Sequence, residues 1–298
     1  MKFAKVLEYL HDSSFNRKTL GLNDNSMIIR WRFSDLILVN VLAVLYTFVN
    51  GMEPFERQFT LNDVTIQHPF AERERVNLAE LFIYATAVPL ATITTLGILL
   101  TKPKYKIYNT FVALLGCLLS ILITGIFTDF IKNYIGRLRP DFLARCIPKP
   151  GTPTDVLVFA KDVCTSTDRK KLLDGFRTTP SGHSSLSFSG LFYLTLWLSG
   201  QLVSVHTQVG SWRTTVCWVP SLGALLIALS RTEDYRHHFV DVIIGSLIGI
   251  SVAYWSYFRL FPSLKHDQSY YNLMIIKKEE GEDDERAERH PPYQRLEV

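Results

Sequence analysis

The sequence has no basic stripe interleaved with aromatics, and its formal net charge is only +4 over 298 residues, so a nucleic-acid partner has no electrostatic footprint to bind. It has no G-x-G-x-x-G turn, no Walker loop and no repeat of solenoid period, which argues against dinucleotide folds, P-loop enzymes and stacked scaffolds. Its histidines do not combine with its four cysteines into a ligand pattern, so no metal and no cofactor is expected. Ahead of the first apolar run, "KTLGLNDNSMIIRWRF" offers no small-residue cleavage site. That run therefore reads as an anchor and not as a removed leader.

What the chain does have is apolar length. Hydrophobic residues make up 47% of it and mean hydropathy is +0.11, too apolar for an ordinary soluble domain. Six runs approach the ~20 residues needed to cross ~30 Å of hydrocarbon: 36–52, 77–100, 107–130, 184–203, 214–229 and 239–261. The expected fold is all-α, a six-span transmembrane helical bundle with an extracytosolic active site. Residues 1–33 would form a cytosolic N-terminal segment and 34–262 the membrane domain. Residues 263–298 are expected to be a disordered acidic cytosolic tail, because "KKEEGEDDERAERH" has no apolar periodicity. At the other end, Phe3, Val6, Leu7 and Leu10 share a helical face beside Lys2 and Lys5, which suits either a surface-lying helix or a free tail.

Orientation follows from the cations of the short connections. Lys and Arg gather in the N-terminal segment, at Lys102, Lys104 and Lys106, and at Arg213, Arg259 and Lys265, which assigns that side and both termini to the cytosol. The connection 131–183 lies on the other side yet is rich in cations, so those are expected to serve chemistry.

Three polar clusters share that extracytosolic side: "KNYIGRLRP" (132–140), "PSGHSS" (180–185) and "SRTEDYRHHFVD" (230–241). Singly, each has an ordinary explanation: snorkelling cations, a turn with a helix cap, or an ion pair between Arg236 and Asp241. Together they make one chemistry. Lys132, Arg139 and Arg231 can surround a phosphoryl group, arginine's planar fork meeting two oxygens at once. Ser181 and the Gly182 amide stand at the start of the fourth helix, where free N–H groups favour an anion. His237 and Asp241, four apart, would share a helical face, the carboxylate holding the imidazole so that its other nitrogen can attack phosphorus. His183 is left as the acid for the leaving oxygen. His238, three from Asp241, is also within reach, and at this point both histidines stay open as nucleophile.

Lys132-x6-Arg139-Pro140, Pro180-Ser181-Gly182-His183 and Ser230-Arg231-x5-His237-x3-Asp241 together resemble the signature of the type 2 phosphatidic acid phosphatases, or lipid phosphate phosphatases. "PFERQFTLNDVTIQHPFAERERVN", "IGRLRPDFLARC" and "LLDGFRTTPSGHSS" resemble the fungal diacylglycerol pyrophosphate phosphatases in particular, over most of residues 30–262. The resemblance implies a metal-independent site related to those of bacterial class A acid phosphatases and vanadium haloperoxidases. In it His237 is the nucleophile that becomes phosphohistidine, Asp241 its orienting partner and His183 the acid. Lys132, Arg139, Ser181, Gly182 and Arg231 bind phosphate. The implied substrates are membrane lipid phosphates, diacylglycerol pyrophosphate and phosphatidate, met in the bilayer of a vacuolar or other endomembrane by a site facing the lumen or exterior.

Two other classes share the bundle or the anion pocket. A non-catalytic lipid-binding scaffold is opposed by the complete histidine and aspartate set, and a vanadate-dependent haloperoxidase by the six spans. Cys146 and Cys164 share the extracytosolic connection, where oxidation is permitted, and can pair. Cys117 and Cys217 lie inside spans as packing residues.

Overall fold

The computed structural model describes residues 26–289. Among them regular structure is helical, with only two isolated extended pairings, Phe59 with Val158 and Pro148 with Cys164. Six long helices take the places of the six apolar runs: α1 (Phe33–Asn50), α2 (Leu78–Leu100), α3 (Lys106–Ile135), α4 (Gly182–Gln201), α5 (Ser211–Glu233) and α6 (Phe239–Phe258). α1, α2, α3, α5 and α6 are each long and apolar enough to cross a membrane.

α4 differs because it faces other helices instead of lipid. Ser184, Ser185, Ser187, Ser189, Thr195 and Ser199 are all buried along it, and they lower its hydropathy without exposing it to water. The hydroxyls find partners on neighbouring helices: Ser189 with Ser120 (2.8 Å) and Ser185 with Thr128 (2.8 Å) on α3, and Thr195 with Ser221 (2.7 Å) on α5. Where hydrocarbon gives no hydrophobic drive between helices, small residues and such bonds hold them together. α6 approaches closer still, since a Cβ added to Gly249 would lie 2.3 Å from the carbonyl oxygen of Ser185. At the periphery, α1 exposes Val41, Val44 and Phe48, the surface expected of a helix turned toward acyl chains.

Two element boundaries move in ways that matter. α3 runs five residues past the expected end at 130, so Lys132 is a buried helical residue. α5 likewise carries Ser230 and Arg231 on its last turn, not in the following connection.

The tail is a correction. It was expected to lack regular structure, yet α7 (Leu273–Arg289) is helical. The highly charged run is preceded by Leu273, Met274, Ile275 and Ile276, and Ile275, Ile276 and Tyr271 pack with Tyr105 at the start of α3. Asn109 of α3 locks the junction, donating to the Tyr270 carbonyl (2.9 Å) and accepting from the Asn272 amide (3.0 Å). The helix expected over residues 1–11 lies outside the described residues.

Residues 51–77 and 136–181 pack over one end of the bundle as a cap with its own apolar centre, including Phe59, Leu138, Phe142, Val163 and Phe176. The Cys146–Cys164 disulfide joins it. Its polar keystone is Arg145, fully buried, which donates twice to Asp141 (2.9 and 3.0 Å) and once to Asp174 (2.9 Å). The cap thereby holds the chain just before α4 over the bundle's end.

The close approach of α4 and α6 sets a test. Gly249→Ala should lower the thermal midpoint in detergent by the equivalent of about 1–3 kcal/mol, because a backbone oxygen must move. Gly223→Ala, where the nearest atom is Leu191 Cδ1 at 3.8 Å, should leave it unchanged or slightly raised.

Candidate active site

The site forms where α3 ends, α4 begins and α5 turns into α6. Ser181 caps α4, its hydroxyl accepting from the Ser184 amide (3.4 Å), and its own amide donates to the Asp241 carbonyl (3.0 Å), which ties the starts of α4 and α6 together. The first amides of α4 have no intrahelical partner and point out of the helix end. Glycine at 182 leaves room for the lysine: a Cβ there would lie 3.0 Å from Lys132 Nζ. Arg139, on the chain just after α3, donates through Nε to the Asp174 carbonyl (2.8 Å) and pairs with the Asp174 carboxylate (2.9 Å). Arg231 is 1% exposed and bound on both sides, by Glu74 (2.7 Å) and Asp234 (2.7 Å). His237 is buried within the field of Arg139, Lys132 and His183. The three sequence clusters are one site in space.

The relation between His237 and Asp241 differs from the helical pair read from their spacing. His237 precedes α6, and the extended backbone of His238 (φ −76°, ψ 158°) caps that helix, so positions 237 and 241 do not share a helical face. Asp241 instead closes a capping box with His238, accepting from its amide (2.9 Å) and lying 3.1 Å from its Nδ1. The carboxylate also receives Arg137 (3.0 Å), the Thr179 hydroxyl and the Thr178 hydroxyl (2.6 Å). Its ion pair is with Arg137 and not with Arg236.

His237 Nδ1 meets the carbonyl oxygen of Thr178 at 2.7 Å. A carbonyl only accepts, so Nδ1 carries the hydrogen and Nε2 of the neutral ring carries the lone pair. Asp241 reaches this imidazole through Thr178, whose hydroxyl lies between them, 3.3 Å from Nδ1. Burial first, then the charges of Arg139 and Lys132, hold the His237 imidazole well below its usual range, which keeps the ring neutral. At Asp174 burial acts to raise the carboxyl, but Arg139 and Arg145 outweigh it and hold the group below the usual carboxylate range.

His183, on the first turn of α4, donates from Nε2 to the Val76 carbonyl (3.1 Å), so Nδ1 of the neutral ring carries the lone pair. Several neighbours were not legible in the motifs. Glu74 binds Arg231 and also Arg236 (2.8 Å), whose guanidinium lies 4.4 Å from the centroid of the Phe70 ring. Asp234 takes the Arg75 amide (2.9 Å) as well as Arg231. The alternating charges of "AERERVN" were the available signal for Glu74, whereas Thr178 acts largely through a backbone carbonyl, which no side-chain pattern reveals.

The PAP2 superfamily model matches residues 113–263, a stretch that contains all three clusters. The chain belongs to the PAP2 superfamily. Diacylglycerol pyrophosphate phosphatase 1 of Saccharomyces cerevisiae is 51% identical over 245 residues, covering 82% of this chain and 85% of that protein. The probable diacylglycerol pyrophosphate phosphatase 1 of Schizosaccharomyces pombe is 38% identical, covering 82% and 86%. Lipid phosphate phosphatase 2 of Arabidopsis thaliana is 33% identical, covering 79% of each chain. No solved structure matches the chain. In this chain the polar clusters of that stretch sit at helix ends.

The neutral His237 has a measurable consequence. In the unfolded chain an imidazole takes up a proton below a pKa of ~6.5, while the folded one does not. The unfolded state then binds more protons, so stability falls as pH drops through that value and is regained above it. The thermal midpoint in detergent should therefore fall less between pH 7.5 and 5.5 for His237→Gln than for the unaltered chain. Parallel slopes would show that His237 protonates freely when folded.

Proposed function

We propose that the chain is an integral membrane lipid phosphatase that removes the terminal phosphate of diacylglycerol pyrophosphate and dephosphorylates phosphatidate, through a phosphohistidine and without a metal. The observation that carries this reading is the His237 tautomer: Nδ1 is held by the Thr178 carbonyl, so a neutral Nε2 lone pair is available among Lys132, Arg139 and the start of α4. The names of the fungal relatives support the pyrophosphate lipid as substrate.

Nε2 attacks the terminal phosphorus and forms a P–N bond as the bridging P–O bond breaks. Lys132, Arg139, Arg231 and the amide of Gly182 take the non-bridging oxygens, where charge accumulates. With substrate phosphate bound among the cations, His183 carries a second proton on Nδ1; it gives that proton to the departing oxygen, and the freed Nδ1 lone pair then removes one from the water that cleaves the P–N bond. Thr178 and, behind it, Asp241 position the imidazole and stabilise the charge it gains. The same cation pattern that orients the bundle supports a site facing the lumen of an endomembrane compartment or the exterior, with both termini cytosolic. A non-catalytic scaffold would have no use for a tautomer-fixed, buried histidine.

Purified protein in detergent with chelator should release phosphate from both lipids; full dependence on added magnesium would refute the metal-free route. Under the same conditions His237→Ala should abolish turnover and any acid-labile phosphoenzyme, while His238→Ala should retain a substantial fraction. The reverse pattern would move the nucleophile to His238.

Glu74 occupies the forks of Arg231 and Arg236, so substrate phosphate must compete with a carboxylate for them. Glu74→Gln removes that competitor's charge, and KM should fall several-fold, as expected when a charge-assisted bond of about 1.5–3 kcal/mol is weakened, with kcat changed little. A raised KM would instead make Glu74 a support that Arg231 needs.

A further inference from the structure

At the end of the bundle away from the catalytic cluster, a cavity of about 470 Å³ opens between the start of α3, the first turns of α7 and Arg30. Arg30, Lys104, Lys277 and Lys278 line it. Glu282 is shared by Lys104 (3.1 Å) and Lys278 (3.5 Å), while Arg30 and Lys277 have no acidic partner among the described residues. The local balance is positive, and the phosphatase chemistry uses none of it.

The wall adds a second feature. Tyr105 and Tyr108 also line the cavity, and their buried hydroxyls, beside the cations Lys104 and Arg32 respectively, make no hydrogen bond of proper geometry among the described residues. Buried hydroxyls left unmatched cost free energy, and an oxygen-rich anion would satisfy both.

The location selects the carrier of that anion. Met27, Ile28 and Ile107, close in sequence to the lining residues, are 72%, 52% and 68% exposed, and α1 and α3 both begin here. An apolar rim beside a cationic pocket matches a molecule with an anionic head and acyl chains, as basic pockets between membrane helices do. We propose that this cavity is a binding site for the headgroup of an anionic phospholipid in the leaflet opposite the catalytic cluster. α3, 30 residues and so ~45 Å long, runs from this pocket to Lys132 at the other end of the bundle.

The full-length chain, purified in uncharged detergent, would be titrated with phosphatidylglycerol or phosphatidylcholine and retained lipid counted by native mass spectrometry. Phosphatidylglycerol is chosen because it offers the catalytic cluster no phosphomonoester. It should be retained in preference to phosphatidylcholine, and Arg30→Ala/Lys277→Ala should weaken that binding roughly 30-fold, about fivefold for each cation removed. Tyr105→Phe, which removes one hydroxyl and keeps the ring, should weaken it by a smaller factor and serves if the double variant does not fold. His237→Ala should bind as the unaltered chain does, which separates this pocket from the catalytic reading; loss of binding there would overturn the assignment. Undiminished binding by the folded double variant, or by Tyr105→Phe if the double variant does not fold, would overturn it too. Displacement of the lipid by inorganic phosphate or glycerol 3-phosphate at equal concentration would show a pocket for free phosphate and sink the lipid assignment.

Discussion

The structure depends on burying α4 among other helices. A helix so rich in serine can sit inside a membrane protein only if its hydroxyls are matched, and Ser185, Ser189 and Thr195 are matched by α3 and α5 at 2.7–2.8 Å. Those short bonds and the glycines of α6 bring the helices close together. Because the N-terminus of α4 is also the Ser181–Gly182–His183 corner, the packing that centres this helix also fixes its free amides beside Lys132 and the His237 turn. The phosphate site proposed on this helix start has to be held by the helix's packing, and that packing is polar and specific.

The second requirement is charge balance. Lys132, Arg139, Arg145, Arg231 and Arg236 are all buried or nearly so at one end of the molecule, an arrangement that desolvation alone would forbid. Asp141, Asp174, Glu74 and Asp234 make it tolerable; the first two reach in from the cap, Glu74 from the segment ahead of α2 and Asp234 from the end of α5. Arg145 neutralises Asp141 and helps to hold Asp174, and Asp174 in turn aims Arg139. The long cation-rich connection is therefore a packed element whose charges are spent on one another and on the site.

The residues of the three motifs were legible because each belongs to a local pattern of a few positions, and the structure brings Lys132, Arg139, Ser181, Gly182, His183, Arg231 and His237 to one place. Their partners were not legible in the same way. Glu74 lies 157 residues from Arg231, and Thr178 lies 59 from His237. The spacing of His237 and Asp241 suggested a helical contact that the extended backbone at His238 prevents, since an i,i+4 rule holds only where both residues are inside the helix. The tail departs from its composition for a related reason: charge dominates its sequence, whereas its packing rests on the Tyr271, Ile275 and Ile276 contacts with Tyr105.

By itself the sequence determined the all-helical membrane class, the approximate spans and which cations, small residues and histidines to look for at one site, because hydrophobic length and short motif spacing are local properties. Only the tertiary structure decided which group holds the His237 ring, which acids face the arginines and that a basic, tyrosine-lined pocket forms where the tail returns to α3. Those features arise from backbone carbonyls and from residues far apart in the chain, and their energies exist only once the helices have packed and water has left.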